Sequence, residues 1–169
     1  NDQTIFPIWS MSKPITTVAI MVLYDRGLFK LQDNLSKYLP EYENVKCKGE
    51  DGIYPCKNKI KVIDLLTHRS GYTYYSDVYG ENKFISPPSP LNKFTSSYHF
   101  NNLDDFSKAV ANQPLEFEPG SHYLYGLNQA ILGRLVEVLS GVSFYDFLKV
   151  NLFDPMDMKE TKFYLTTEE

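Results

Sequence analysis

Residues 13–26 constrain the fold most. Ile15, Val18, Ala19, Val22 and Leu23 recur at i, i+3, i+4, i+7 and i+8, the stripe of a helix that must bury one side. Pro14 falls in the first turn, where its missing N–H costs least, and Gly27 follows the last turn, where a left-handed residue closes a helix. The helix expected over 13–26 begins directly after Ile8-Trp9-Ser10-Met11-Ser12-Lys13. Ser10 therefore suits an N-cap or first-turn position, and Lys13, three residues on, shares its face. Residues 4–9 form a short apolar approach, extended because the residue before Pro7 avoids helix.

The remaining chain is also helix-rich, with few convincing strands. Residues 28–42 read as turns, stopped by Asp33-Asn34 and Leu39-Pro40. The segment 47–59 is a polar, turn-rich excursion. Ile60-Lys61-Val62 is either one short strand or the lead-in to a helical turn over 63–67 that ends at Ser70-Gly71. Residues 72–102 show no period, and a loop of that length is usually functional. A helix is expected over 103–112 with Leu103, Phe106 and Val110 on one face. Another over 128–139 carries Ile131, Leu135 and Val138 and closes at Gly141. Ser143 starts a last helix through Phe144, Phe147 and Leu148, ended by Asp154-Pro155. No internal repeat or domain linker interrupts residues 1–169.

Charge and composition exclude several function classes. A net charge of -4 with a pI near 5.4 provides no basic surface for a polyanion, so nucleic acid is not an expected partner. The apolar run 18–23 is far short of the ~20 residues a membrane helix needs, so no span is expected. The start of the chain lacks the basic residues and apolar run of a signal peptide. Cys47 and Cys56 flank a turn-like stretch and are either a disulfide or two free thiols; a disulfide would place the protein outside the cytoplasm, in a periplasmic or secreted setting. With no histidine pair beside them they make a poor zinc site, and no metal or cofactor is expected. Asn34-Leu35-Ser36 fits a glycosylation acceptor.

Serine becomes an effective nucleophile only with a base within hydrogen-bond reach. Lys13 beside Ser10 can be that base when its amine is neutral, and the positive end of the helix disfavours an ammonium there while its free N–H groups can face a developing oxyanion. The pattern alone proves little. With 13 serines and 14 lysines in 169 residues, a serine three residues ahead of a lysine should occur about once by chance, and it occurs once. Its place at a helix start, against an apolar stripe, is what the chemistry requires.

Four stretches in order give that reading a context. Residues 2–42, with Thr4-Ile5-Phe6, Ser10-Met11-Ser12-Lys13-Pro14-Ile15-Thr16 and Lys37-Tyr38-Leu39-Pro40-Glu41, come first. Ile60-Lys61-Val62-Ile63-Asp64-Leu65-Leu66-Thr67-His68-Arg69-Ser70-Gly71 comes second. Glu118-Pro119-Gly120-Ser121, Tyr125 and residues 132–141 form the third, and Leu152-Phe153-Asp154-Pro155-Met156-Asp157-Met158-Lys159-Glu160-Thr161 the fourth. Together they resemble the serine beta-lactamase-like family, which comprises class C beta-lactamases, low-molecular-weight penicillin-binding proteins, D-alanyl carboxypeptidases and related esterases.

The resemblance implies an α/β (α+β) fold of the beta-lactamase/transpeptidase type. The chain, one partial domain over 1–169, would supply mainly the helical region, with the flanking antiparallel sheet largely missing. It implies Ser10 as the acylated nucleophile, Lys13 as its base and Tyr125 as the phenol that relays the proton to the leaving group. The family's Tyr-x-Asn motif reads Tyr125-Gly126-Leu127 here, so the amide that would contact a substrate is replaced at Leu127, unless a one-place slip restores it at Asn128. Leu127 and Asn128 are the expected substrate-binding positions. A similar Tyr-x-Leu variant occurs among the family's esterases, which favours a small ester or amide over a beta-lactam or D-alanyl-D-alanine peptide. A non-catalytic ligand-binding or scaffold member is the alternative of another class. The family's Lys-Thr-Gly or His-x-Gly strand motif has no counterpart. The expected partner is therefore the remainder of the same domain, in continuation or as a second chain, and these residues alone would catalyse poorly.

The histidines read as structural: His68 ties a helix-ending turn together, His99 is expected at the surface of the long loop, with the cleft as the alternative, and His122 flanks the tyrosine motif. No Gly-x-Ser-x-Gly elbow and no His-Glu-x-x-His helix is present.

Overall fold

Gly27 closes the first helix, α1 (Ser12–Asp25), by the route its missing side chain permits. At φ 72° it lets the Gly27 N–H reach the Tyr24 carbonyl at 2.9 Å and the Leu28 N–H reach that of Leu23 at 3.1 Å, the paired bonds of a Schellman motif. The computed structural model describes residues 4–74, 100 and 102–163; His99 and most of the expected loop over 72–102 lie outside them. After α1 come the hairpin β1 (Lys46–Gly49) and β2 (Gly52–Pro55), then α2 (Val62–Leu66), α3 (Leu103–Ala111), α4 (Asn128–Ser140) and α5 (Phe144–Leu148). A wider helical turn over Lys149–Phe153 follows α5.

The central element is α4, which packs against α1, α2, α3 and α5. That surround explains two departures from the expected stripes. On α4, Ile131, Leu132, Leu135 and Val136 are buried, whereas Val138 is 39% exposed. On α1 the buried residues are Thr16, Ala19, Ile20 and Leu23, and Val18 is 49% exposed. Apolar residues lie on nearly every side of α1, so their spacing defined no single stripe; contact with α4 decides which side is covered. Thr16 is accommodated by a hydroxyl bond to the Ser12 carbonyl at 3.4 Å.

The helix starts follow local chemistry. Asn102 accepts from the Asp105 N–H at 2.8 Å, and Ser143 accepts from the Asp146 N–H at 3.1 Å, each satisfying a donor that the first turn leaves free. Asp64 does the same in reverse for α2, accepting from the Lys61 N–H at 2.8 Å. Ile60-Lys61-Val62 is thus a lead-in to a helix, touching a strand partner only through a single bridge between Lys61 and Asn34.

Periodicity did not reveal the hairpin. Its antiparallel register pairs Lys46 with Pro55 and Cys47 with Tyr54, and residue 115 extends it on the other edge through Leu115 N–H to Lys46 O at 2.7 Å and Lys48 N–H to Leu115 O at 2.8 Å. Cys47 and Cys56 are joined in a disulfide, with Cα atoms 5.1 Å apart. No helix among the described residues is long and apolar enough to cross a membrane.

The disulfide closes a short loop over a strand pair that offers little burial of its own, because Cys47 alone among the residues of β1 and β2 is buried. Replacing both cysteines by serine is expected to lower stability by about 2–3 kcal/mol through restored loop entropy in the unfolded chain. Urea unfolding monitored by circular dichroism checks this; an unchanged midpoint would rule the contribution out.

Candidate active site

Three residues from two distant stretches meet at one oxygen. Ser10 lies in a tight turn, Trp9–Met11, that feeds directly into α1, and Lys13 stands one turn further along the same side. Lys13 Nζ donates to Ser10 Oγ at 3.0 Å. The Tyr125 phenol donates to the same oxygen at 3.0 Å from 115 residues away. Lys13 Nζ also lies 4.8 Å from the centre of the Tyr125 ring, over its negative face.

Backbone geometry aims Ser10. Trp9 is held at φ 49°, an unusual conformation for a residue with a large side chain, costing of the order of 1–2 kcal/mol. The Ser12 hydroxyl donates to the Trp9 carbonyl at 2.6 Å and the Met11 N–H to that of Ile8 at 2.9 Å, which hold the turn closed. Ser10 is exposed and Tyr125 is 39% exposed, so an incoming molecule can reach both.

Gly126 sets the position of Tyr125. A Cβ there would meet the Tyr72 carbonyl oxygen and lie 2.7 Å from Thr73 Cα, so only glycine lets the chain pass this close to residues 72–73. Leu127 and Asn128 are 2% and 0% exposed. Neither side chain is therefore part of the exposed surface around Ser10. Burial keeps Leu127 in the core. Asn128 is committed to protein partners: it accepts from the Ser70 hydroxyl at 2.5 Å and its amide nitrogen lies 3.0 Å from His68 Nδ1.

His68 is the residue that sequence reasoning left out of the site. Its ring stacks on Tyr125 with centroids 4.8 Å apart and planes 26° apart, and the edge of Tyr123 meets it at 5.9 Å. The backbone adopts φ 54°, and the His68 carbonyl accepts from the Leu124 N–H at 2.8 Å. Its place in the turn after α2 was legible; its contact with a residue 57 positions later had no local signal. His122 bonds the neighbouring Ser121 hydroxyl at 2.9 Å and faces Phe117.

The electrostatics follow from these contacts. Burial tends to raise the pKa of Tyr125, but hydrogen bonds with Lys13 and Ser10 and the Lys13 charge together hold the phenol below its ordinary value. Burial, and then the charge of Lys13, hold the His68 imidazole below the usual histidine value. A neutral His68 can accept at Nδ1 from Asn128. The one group of metal-ligating residue types among the described residues is Cys47, Cys56 and Glu118. Both its sulfurs are used in the disulfide, and the Glu118 carboxylate accepts from the Lys57 and Asn58 N–H groups at 3.0 Å.

Comparison with known proteins gives this arrangement a family context. The family model described as Beta-lactamase matches residues 1–169. Esterase EstB of Burkholderia gladioli is 28% identical over 168 residues, covering 96% of this chain and 39% of its own length. The structure of EstCE1, described as a hydrolase with promiscuous acyltransferase activity, superposes with a TM-score of 0.72 at 25% identity, over 94% of this chain and 39% of that one. A penicillin-binding protein from Bacillus halodurans superposes with a TM-score of 0.64 at 28% identity, over 93% and 41%. The chain spans about two fifths of the length of such curated relatives.

Two outcomes test the site. Gly126→Ala is expected to cost about 1–3 kcal/mol, because backbone 72–73 must give way, and to displace Tyr125; chemical denaturation and a crystal structure of the variant check it, and unchanged stability would contradict the close approach. For His68, the depressed folded pKa means that the unfolded chain binds more protons below about 6.5. That part of the stability is complete above this pH and lost as pH falls through the folded value. Urea midpoints should thus drop more steeply between pH 7 and 5 in the unsubstituted protein than in His68→Asn, and equal slopes would show no such linkage.

Proposed function

The chain belongs to the beta-lactamase family, and on that premise we propose that it is the nucleophile-bearing part of a serine hydrolase or acyltransferase acting through an acyl-enzyme. The observation that carries this is the convergence of Lys13 Nζ and Tyr125 Oη on Ser10 Oγ, each at 3.0 Å. A hydroxyl flanked by a base and a proton carrier is an activated nucleophile.

In the proposed reaction, neutral Lys13 removes the Ser10 hydroxyl proton as Oγ attacks the substrate carbonyl carbon. The tetrahedral oxyanion collapses and expels the leaving oxygen or nitrogen, which takes a proton through the Tyr125 phenol. The phenol is re-protonated from Lys13, leaving an ester on Ser10 and a neutral lysine. Water or an acceptor alcohol then attacks that ester by the reverse sequence, with Lys13 or Tyr125 accepting its proton and Ser10 Oγ regaining one. The lowered pKa of Tyr125 favours proton passage through the phenol.

An ester or amide of a small molecule is the proposed substrate, with an ester favoured. Leu127 offers no amide to a substrate and is buried, and Asn128 is occupied within the protein, so the side-chain amide expected for a peptide or beta-lactam is absent from this edge of the site. The esterase and acyltransferase relatives support the same choice. The remainder of the domain, on this proposal, completes the oxyanion site and the sheet. The disulfide supports an oxidising compartment outside the cytoplasm.

The test is hydrolysis of p-nitrophenyl butyrate together with labelling by a fluorophosphonate and by a fluorescent penicillin. Ser10→Ala is expected to lower kcat by about 10³-fold or more and to abolish the fluorophosphonate adduct, which peptide mass spectrometry should place on Ser10. Unchanged hydrolysis after Ser10→Ala would overturn the reading. Penicillin acylation faster than ester turnover would move the substrate to a beta-lactam or D-alanyl peptide.

A further inference from the structure

We propose that His68 is a positioning residue for Tyr125, held in place by a buried polar chain that runs from Ser70 through Asn128. This rests on the acyl-enzyme reading above and adds to it the element that fixes the phenol.

The chain starts in the core. The Ser70 hydroxyl, wholly buried, accepts from the Tyr72 N–H at 3.2 Å, so its own proton is free to go to Asn128 Oδ1 at 2.5 Å. That bond leaves the Asn128 amide nitrogen to donate at 3.0 Å to His68 Nδ1, which fixes both the ring plane and the neutral form with its proton on Nε2. Asn128 is wholly buried, at the first residue of α4. Rotation of the His68 ring that carries Nδ1 away leaves the Asn128 amide without its imidazole partner in the core.

The fixed plane is the surface on which Tyr125 rests. The imidazole stacks on the phenol ring at 4.8 Å and 26°, while Tyr74 leans on that ring at 6.0 Å and Lys13 Nζ lies 4.8 Å from its centroid. Among the described residues, the charged and titratable groups facing His68 are Lys13 from α1 and Tyr123 and Tyr125 from the segment before α4. None of these is a carboxylate that would draw a proton onto the imidazole. Tyr125 itself is 39% exposed, so without a wall its phenol could swing by an ångström or more. A misplacement of about that size costs of the order of 10²-fold in rate.

Two substitutions separate positioning from a backbone role. His68 sits at φ 54°, a conformation that asparagine tolerates better than a ring-bearing residue. His68→Asn therefore suits the backbone but removes the ring, whereas His68→Phe keeps a flat ring at a less comfortable backbone. Positioning predicts kcat in the order wild type, Phe, Asn, with the asparagine variant down about 10–100-fold, KM changed less than about threefold and the phenylalanine variant, which keeps the stacking ring but loses the Nδ1 acceptor for Asn128, recovering only part of the loss. A backbone role alone predicts the opposite order. The experiment measures p-nitrophenyl ester kinetics on the whole protein, with the fluorophosphonate labelling rate of Ser10 as a second readout that serves even where the phenylalanine variant does not fold. A labelling rate in His68→Asn at least ten times below wild type is expected. A rate within twofold of wild type, a loss confined to KM, or phenylalanine ranking below asparagine would overturn the proposal. Absence of any adduct on Ser10 in the unsubstituted protein would instead overturn the acyl-enzyme reading.

Discussion

The packing of α1 on α4 is the interaction on which the site depends. Ser10 and Lys13 stand at the start of α1, and Tyr125 stands just ahead of the first residue of α4. Neither end holds the three together by itself: each bond to Ser10 Oγ links groups that are exposed or half exposed, and such bonds contribute about 1 kcal/mol each. What places the phenol 3.0 Å from the serine is the seam below it, where Ala19, Ile20 and Leu23 on one helix and Ile131, Leu132 and Leu135 on the other are fully buried. Two rigid rods packed along an apolar seam fix their ends far more closely than the polar contacts at those ends could.

How much of this was legible in the sequence depends on whether the deciding contact was local. Gly27 and Ser143 act on groups within a turn of themselves, and the helices they bound came out where the chemistry placed them. The pairing of Ser10 with Lys13 was legible for the same reason, being one helical turn. The approach of Tyr125 came only from the order of family landmarks, because no spacing rule reaches across 115 residues. Val18 and Val138 were placed in the core by their periods and lie outside it, since a helix with apolar residues on several sides leaves the choice of face to its neighbours. The hairpin went unread because its residues alternate too weakly, and only Cys47 is buried. Asn128 and Leu127 were assigned to the substrate by motif register; their burial depends on where α4 begins and how deeply it is set.

The charge balance at the site is set by burial together with the groups around Lys13. Lys13 sits between a hydroxyl, a phenol ring and an imidazole, and no salt bridge to a carboxylate appears for it among the described residues. A carboxylate partner would stabilise the ammonium and work against proton acceptance. Instead the positive charge is felt by its neighbours: it lowers the pKa of Tyr125 against the effect of burial, and it adds to burial in keeping His68 neutral. Lys13 is thus coupled electrostatically to both Tyr125 and His68.

The family landmarks, separated along the chain, are neighbours in space. The turn after α2 is tied to the segment before α4 by backbone bonds from Gly120 N–H to Arg69 O at 2.8 Å, Leu124 N–H to His68 O at 2.8 Å and Glu116 N–H to Gly71 O at 2.9 Å. Gly126 then passes against the backbone of residues 72–73 at a separation no side chain would allow. Residues 60–71 and 118–125 therefore form one clamp, and its buried link through Ser70 and Asn128 reaches the ring on which Tyr125 lies. The second landmark thus belongs to the same physical unit as Tyr125.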